Sequence, residues 1–127
     1  MPIIAIDHYN LRAERALLDR LRDFYVDVVG LVPGARPPFR SFGYWLYIGD
    51  QSVLHLTEAP PLEGGVAGTV SSFSHVAFAC AGVAEFEARL QKNSIRYETD
   101  YVPGRRIIQL FLSDPAGNGV ELSFDQT

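Results

Sequence analysis

A single cysteine, Cys80, and a single lysine, Lys92, are all that the 127-residue chain has of either type. One thiol cannot close an internal disulfide, so nothing in the cysteine pattern points to secretion. Long apolar runs are missing too, and none approaches the roughly 20 residues of a membrane-spanning helix. Positive charge is in deficit, with 11 basic against 15 acidic residues and a formal net charge of −4. Nucleic-acid binders ordinarily carry a surplus of lysine and arginine, which sets that class aside. The opening residues, Met1 to Asp7, lack a basic stretch and meet an acid too early for a secretory leader. The expectation is a cytoplasmic protein with no membrane and no nucleic-acid partner.

What is present is a chain 47% hydrophobic and 20% charged, which fits one globular unit and is too apolar for a disordered one. Every basic residue except Lys92 is arginine, which favours planar recognition of carboxylate or phosphate. Ile3 to Leu11 reads as a strand. Glu14 to Val29 reads as an amphipathic helix, because Leu17, Leu21, Phe24 and Val28 recur at three- and four-residue steps and Leu18 and Tyr25 widen the stripe. Gly30 is placed to stop it in the left-handed conformation. Pro33 to Pro38 reads as a loop, and Phe42 to Ile48 and Ser52 to Thr57 as two strands joined by Gly49-Asp50-Gln51. Glu58 to Thr69, with its prolines and glycines, reads as a linker.

The cycle then restarts. Phe73 to Cys80 is a strand, Val83 to Gln91 a helix, Ile95 to Tyr101 and Ile107 to Leu112 strands, Asp114 to Gly119 a tight turn, and Val120 to Phe124 a last strand. His8 lies 67 residues before His75, and His55 lies 66 before Glu121. Leu54-His55-Leu56-Thr57 aligns with Val120-Glu121-Leu122-Ser123, so apolar, ligand-type, apolar and hydroxyl residues coincide. A duplicated βαβββ module follows, with module 1 at 1–60 and module 2 at 70–127.

Strand parity gives this repeat a chemical meaning, since side chains alternate between faces. Val120, Leu122 and Phe124 oppose Glu121; Leu54 and Leu56 oppose His55; Val76 and Phe78 oppose His75. Each strand offers an apolar face for a helix and puts one His or Glu at the centre of the other. The first strand is less clean, because Ile4 and Ile6 share the parity of His8. A lone strand histidine is ordinarily a hydrogen-bonded or half-exposed residue, and a lone glutamate a solvated one. Matching repeat positions argue against four such coincidences, and imidazole and carboxylate are the usual ligands of divalent transition metals.

These residues resemble the glyoxalase, bleomycin-resistance and extradiol dioxygenase superfamily, also called vicinal oxygen chelate. The matching segments are Ile6 to Leu11, Phe24 to Leu31, Phe73 to Phe78 and Asp114 to Leu122, so the resemblance spans nearly the whole chain. It implies an α+β fold of two tandem βαβββ modules. Their curved mixed β-sheet forms a cup with helices on the outer face, making 1–127 one vicinal-oxygen-chelate domain. It places metal ligands at His8, His55, His75 and Glu121 around a divalent ion (Zn, Ni, Fe, Mn or Co), and it implies a homodimer acting on a small-molecule substrate. The four-ligand pattern is more like glyoxalase I and the epimerases, a lyase or isomerase chemistry with Glu121 as the catalytic base. The two-histidine, one-glutamate set of the dioxygenases falls on His8, His75 and Glu121, and some members bind a drug without metal. Arg12 matches the position of an arginine that holds the glutathione carboxylate, but its companion asparagine is replaced by Ala59, which leaves the substrate open.

Other residues carry two readings each. Arg105 and Arg106 are an anion clamp beside Glu121 or a solvated hairpin end. Trp45, with Tyr44 and Tyr47, lines a substrate cup or packs the sheet, the latter being commoner for strand aromatics. Asp114 to Gly119 is better explained as turn chemistry than as an ion-binding loop. Cys80 shares the apolar parity of Val76 and Phe78 and reads as a small buried residue, not a nucleophile.

Overall fold

In the computed structural model, residues 4–59 and 73–127 are described. The chain divides into two compact units, Met1–Gly68 and Thr69–Thr127, each built on its own four-stranded mixed sheet.

The first unit comprises β1 (Tyr9–Ala13), α1 (Arg15–Phe24), β2 (Val32–Gly34), β3 (Gly43–Ile48) and β4 (Gln51–Glu58), in the sheet order β1-β4-β3-β2. β1 and β4 are parallel and the other pairs antiparallel. The expected stripe is what α1 buries: Leu18, Leu21 and Phe24 pack inward, and the helix continues through one wider π-helical turn, Tyr25–Val29. Gly30 ends it at φ 102°, where the amides of Gly30 and Leu31 both donate to the Tyr25 carbonyl. The opposing sheet face supplies Leu46, Leu54 and Leu56, all fully buried.

The second unit repeats the plan with β5 (His75–Cys80), α2 (Val83–Lys92), β6 (Glu98–Tyr101), β7 (Ile107–Ser113) and β8 (Gly119–Asp125), ordered β5-β8-β7-β6. β5 and β8 are parallel, the others antiparallel. Its core is Leu90, Leu110, Val120, Leu122 and Phe124, all fully buried, with Phe86 of α2 set edge-on to Phe124 at 5.4 Å. The duplicated βαβββ reading therefore holds in order, direction and register.

Several element bounds differ from expectation, including that of β5, which begins at His75 and not at Phe73. The first strand begins at Tyr9 and not at Ile3, because the β1–β4 ladder starts at Tyr9↔Leu54; the Gln51 side chain, rather than a strand amide, donates to the Asp7 carbonyl. Ile4 and Ile6 are accordingly more than 90% exposed. The proline loop hides β2: Pro33 sits in an edge strand bonded only to β3, where a missing N–H is tolerated. Gly34 in that strand lies against the Tyr47 ring, so close that an added Cβ would stand 2.6 Å from it. Glu58, expected to open the linker, is the last residue of β4 and is held by Arg15 at 2.7 Å. The rest of that linker from residue 60 lies outside the described residues. β6 starts at Glu98, since Ile95 still donates to Leu90 at the end of α2.

Candidate functional site

Register and parity assign one face of each sheet to its helix and leave the other for chemistry. In the first unit Asn10 pairs with His55, Arg12 with Thr57 and Trp45 with His55, so these side chains share the face away from α1. The Asn10 amide donates to the Thr57 hydroxyl at 3.0 Å across that face. Tyr44 has the opposite parity and packs toward the helix: its hydroxyl donates to Asp19 and accepts from Arg22. Tyr44 is thus a packing residue. The Tyr47 hydroxyl donates to the Ala35 carbonyl, which makes it a loop anchor.

His55 is the centre of a three-ring stack. Its ring lies 3.8 Å from that of His8 with 16° between planes, and 4.0 Å from that of Trp45 with 6° between planes. His55 is buried, its Nε2 3.2 Å from the Ser52 hydroxyl. Burial, reinforced by neighbouring His8, pulls its pKa below the ordinary imidazole value. His8 is more exposed, and its Nδ1 lies 2.7 Å from the Asp7 carboxylate, whose own pKa is lowered by that contact and by Gln51. With Nδ1 so engaged, Nε2 of His8 is the nitrogen left for a ligand. Near-parallel rings do not aim their in-plane nitrogens at one point, so one ring must turn before both can bind one ion.

The second unit brings its own pair together. The His75 Nε2 stands 3.3 Å from Glu121 Oε1, and Gln109 donates to the other carboxylate oxygen, Oε2, at 3.2 Å. Nδ1 of His75 meets the Ser74 hydroxyl at 3.0 Å, and the Phe111 ring stands edge-on to the imidazole, with centroids 6.2 Å apart. Glu121 is buried, and Gly119 makes its neighbourhood possible: an added Cβ there would meet the Ser74 carbonyl at 2.4 Å. The donor set fits a metal. Two ligands bound about 2.1 Å from one ion at tetrahedral or octahedral angles lie about 3.0–3.4 Å apart. The outer atoms of His8, His75 and Glu121 are held by Asp7, Ser74 and Gln109, contacts of the kind that orient a metal's ligands. The same contacts also describe a metal-free hydrogen-bonded pair. No set of three His, Cys, Asp or Glu side chains gathers to hold an ion among the described residues.

The remaining candidates are placed as follows. Arg12 is exposed on the open face of its sheet. Arg105 and Arg106 are exposed ahead of β7, whose first residue Ile107 pairs with Asp125. That is four ladder positions from the Phe111↔Glu121 pair, roughly 13 Å along the strand. Asp114 is turn chemistry: its Oδ1 accepts from the amides of Ala116 and Asn118. Cys80 is half-buried, and burial raises its pKa, as suits a packed thiol. Gln109 and Asn10 were not singled out from sequence; their parity with Glu121 and His55 becomes readable only once the neighbouring strands are in register.

Two helix-backed mixed sheets in the same strand order define the fold of a vicinal oxygen chelate protein. Residues 5–122 match the Glyoxalase/Bleomycin resistance protein/Dioxygenase superfamily, and the chain belongs to that family. It is 32% identical over 110 residues to glyoxylase I 4 of Arabidopsis thaliana, covering 83% of this chain and 63% of that relative's length. A putative glyoxalase family protein of Bacillus anthracis superimposes with a TM-score of 0.75 at 24% identity, covering 99% and 98% of the two chains. Lactoylglutathione lyase from Agrobacterium tumefaciens gives 0.66 at 25% identity, covering 98% and 96%. The fosfomycin resistance protein FosX of Listeria monocytogenes shares the fold, with 0.72 at 12% identity and coverage of 98% and 96%. Among the described residues no helix is long and apolar enough to cross a membrane.

Proposed function

We propose that the chain is a metal-dependent lyase or isomerase of glyoxalase type, acting on a small oxygen-chelating substrate. The observation that carries this reading is the His75–Glu121 pair, spaced for one ion and with the far oxygen of Glu121 occupied by Gln109. His8, His55, His75 and Glu121 would hold a divalent ion, with the two modules, 1–60 and 70–127, acting as one domain in a cytoplasmic homodimer. When bound, such an ion supplies Lewis acidity, polarising a substrate carbonyl and acidifying the adjacent C–H. Glu121 would act as the general base, on leaving the ion or from beside it, taking the proton from the acidified C–H and returning it to the neighbouring carbon while Gln109 fixes the carboxylate plane. Arg12 holds a remote substrate carboxylate, and Trp45 is the apolar wall of the first unit. Arg105 and Arg106 serve as an outer anion clamp.

Elemental analysis of protein purified without chelators, with melting curves before and after EDTA, tests the reading. The expected outcome is a stoichiometric divalent metal and a melting temperature that drops on chelation. At a metal concentration 100 times Kd the difference is worth about 2.7 kcal/mol. Metal-free protein with unchanged melting would replace the enzyme with a binding or resistance protein.

The ring stack favours one second reading. With His55 held between Trp45 and His8, the set His8, His75 and Glu121 is a two-histidine, one-carboxylate site suited to Fe(II) and extradiol ring cleavage. It requires oxygen consumption with catechols, and zinc- or nickel-loaded protein inert toward them removes it.

A further inference from the structure

The turn that leads into β8 joins two residues, Asn118 and Gly119, each fixed by its surroundings. Gly119 is fixed by close contact: an added Cβ would stand 2.4 Å from the Ser74 carbonyl oxygen and 2.9 Å from Cβ of His75. Asn118 is fixed by Asp114. Its backbone amide donates to Asp114 Oδ1 at 2.8 Å and its side-chain amide to Oδ2 at 2.9 Å, while its carbonyl accepts from the Asp114 amide at 2.8 Å. The pair is the chain's only Asn-Gly, since Asn10 precedes Leu11 and Asn93 precedes Ser94. Asparagine is most open to deamidation before glycine, because no side chain shields the nitrogen that follows. The fold therefore imposes both halves of a labile pair.

We propose that Asn118 is a modification site, a spontaneous deamidation that the closed turn holds back and that opening of this end of the β5–β8 ladder releases. In that step the Gly119 nitrogen gives its proton to solvent and attacks Cγ of Asn118. A C–N bond forms, the bond from Cγ to Nδ2 breaks, and the nitrogen takes up a proton and leaves as ammonia. Water then opens the cyclic imide at either carbonyl, leaving aspartate or isoaspartate. One water enters, one ammonia leaves, and nothing is oxidised. The closed turn opposes the attack twice. The Gly119 N–H is bonded to the Ser74 carbonyl at 3.2 Å, and the contact to Asp114 restrains the carboxamide that must swing toward that nitrogen. Neither product restores the turn. The new carboxylate sets acceptor against acceptor at Oδ2 of the buried Asp114. Isoaspartate also adds a carbon to the main chain just ahead of Gly119, which is paired with His75 and leads to Glu121. Deamidation thus damages the strand that carries the candidate base.

Peptide mapping by mass spectrometry tests this on folded protein and on the same chain in guanidinium chloride, incubated side by side. In the unfolded chain Asn118 should convert ahead of Asn93 and Asn10, in order of the size of the following side chain. In folded protein conversion at Asn118 should be slower by at least about tenfold, as a reaction that waits on local opening is. Asp114→Asn keeps one acceptor oxygen for the backbone amides and removes the other, so it should accelerate conversion at Asn118 in folded protein. Circular dichroism shows whether that variant folds, and the comparison of folded with unfolded parent decides where it does not. Asn118→Asp, one of the two products, should melt at least about 3 °C below the parent. Conversion as fast in folded as in unfolded protein, or no faster at Asn118 than at Asn10 when unfolded, overturns the proposal. An unchanged melting temperature in Asn118→Asp overturns the damage assigned to it.

Discussion

The two open sheet faces are one geometry carrying two chemistries. His8 and His75 precede or begin a parallel strand, His55 and Glu121 occupy the strand paired with it, and Trp45 and Phe111 stand opposite them on the third. In the first unit the occupants are three flat rings, which stack. In the second, a carboxylate replaces the central ring; the pair becomes polar, and Gln109 arrives to satisfy it. Gly43, paired with Thr57, stands where Gln109, paired with Ser123, stands in the second unit, so no equivalent donor exists there. The same backbone therefore offers one face suited to packing against an apolar part of a ligand and one suited to moving a proton.

Exchanging the central residues breaks that division most severely. Glu121→Gln keeps the shape and the contact to His75 but removes the base, and turnover should fall by roughly 10²–10⁴-fold with metal retained. His55→Gln should instead lower metal affinity more than turnover of the loaded enzyme. Turnover measured beside metal content distinguishes them, and an unchanged rate in Glu121→Gln removes its assigned role.

The cores, by contrast, should behave alike. Leu54 and Leu122 are both fully buried beside the central strand residues, so Leu→Ala at either is expected to cost about 2–5 kcal/mol in urea denaturation. A much smaller loss at one of them would show that the duplicated halves are unequally packed.

Between these sits Gln109, which illustrates what the sequence withholds. The parity of β4, β5 and β8 is legible because each alternates apolar residues with one ligand-type residue, and that pattern alone places three of the four candidate ligands on open faces. His8 is harder, since Ile4 and Ile6 mimic a strand face but lie ahead of the ladder. β2 is hidden because two of its three residues are proline and glycine, permitted only by its edge position. Gln109 sits in Ile-Ile-Gln-Leu-Phe, a run whose apolar character on both faces masks its direction, and only pairing with Ser123 reveals it. The ring stack is likewise a tertiary fact. Gln109→Ala should weaken metal affinity by roughly 10–100-fold, as loss of a residue that orients a metal ligand does, without moving the melting temperature of the metal-free protein by more than about a degree or two. An affinity within twofold of wild type would make the Gln109 contact incidental.

The smallest effect is the most specific to the first unit. Trp45 is the only tryptophan, and its ring covers His55. Because burial lowers the His55 pKa, the folded state binds that proton less readily than the unfolded chain. As pH falls through the ordinary imidazole value of about 6.5, the unfolded state gains the proton first, and stability declines until the folded group is also charged. In EDTA-treated protein the NMR titration midpoint of His55 should therefore lie below that of an exposed histidine. Trp45→Ala should raise it toward the ordinary value by uncovering the ring, at a cost of about 1 kcal/mol in stacking beyond area burial. Phe111→Ala, at the equivalent position, should leave the His55 midpoint where it was, since Phe111 meets His75 and only by its edge. A His55 midpoint unmoved by Trp45→Ala would mean that the stack does not set the electrostatics of the first unit, and the contrast between the two faces would then rest on Glu121 alone.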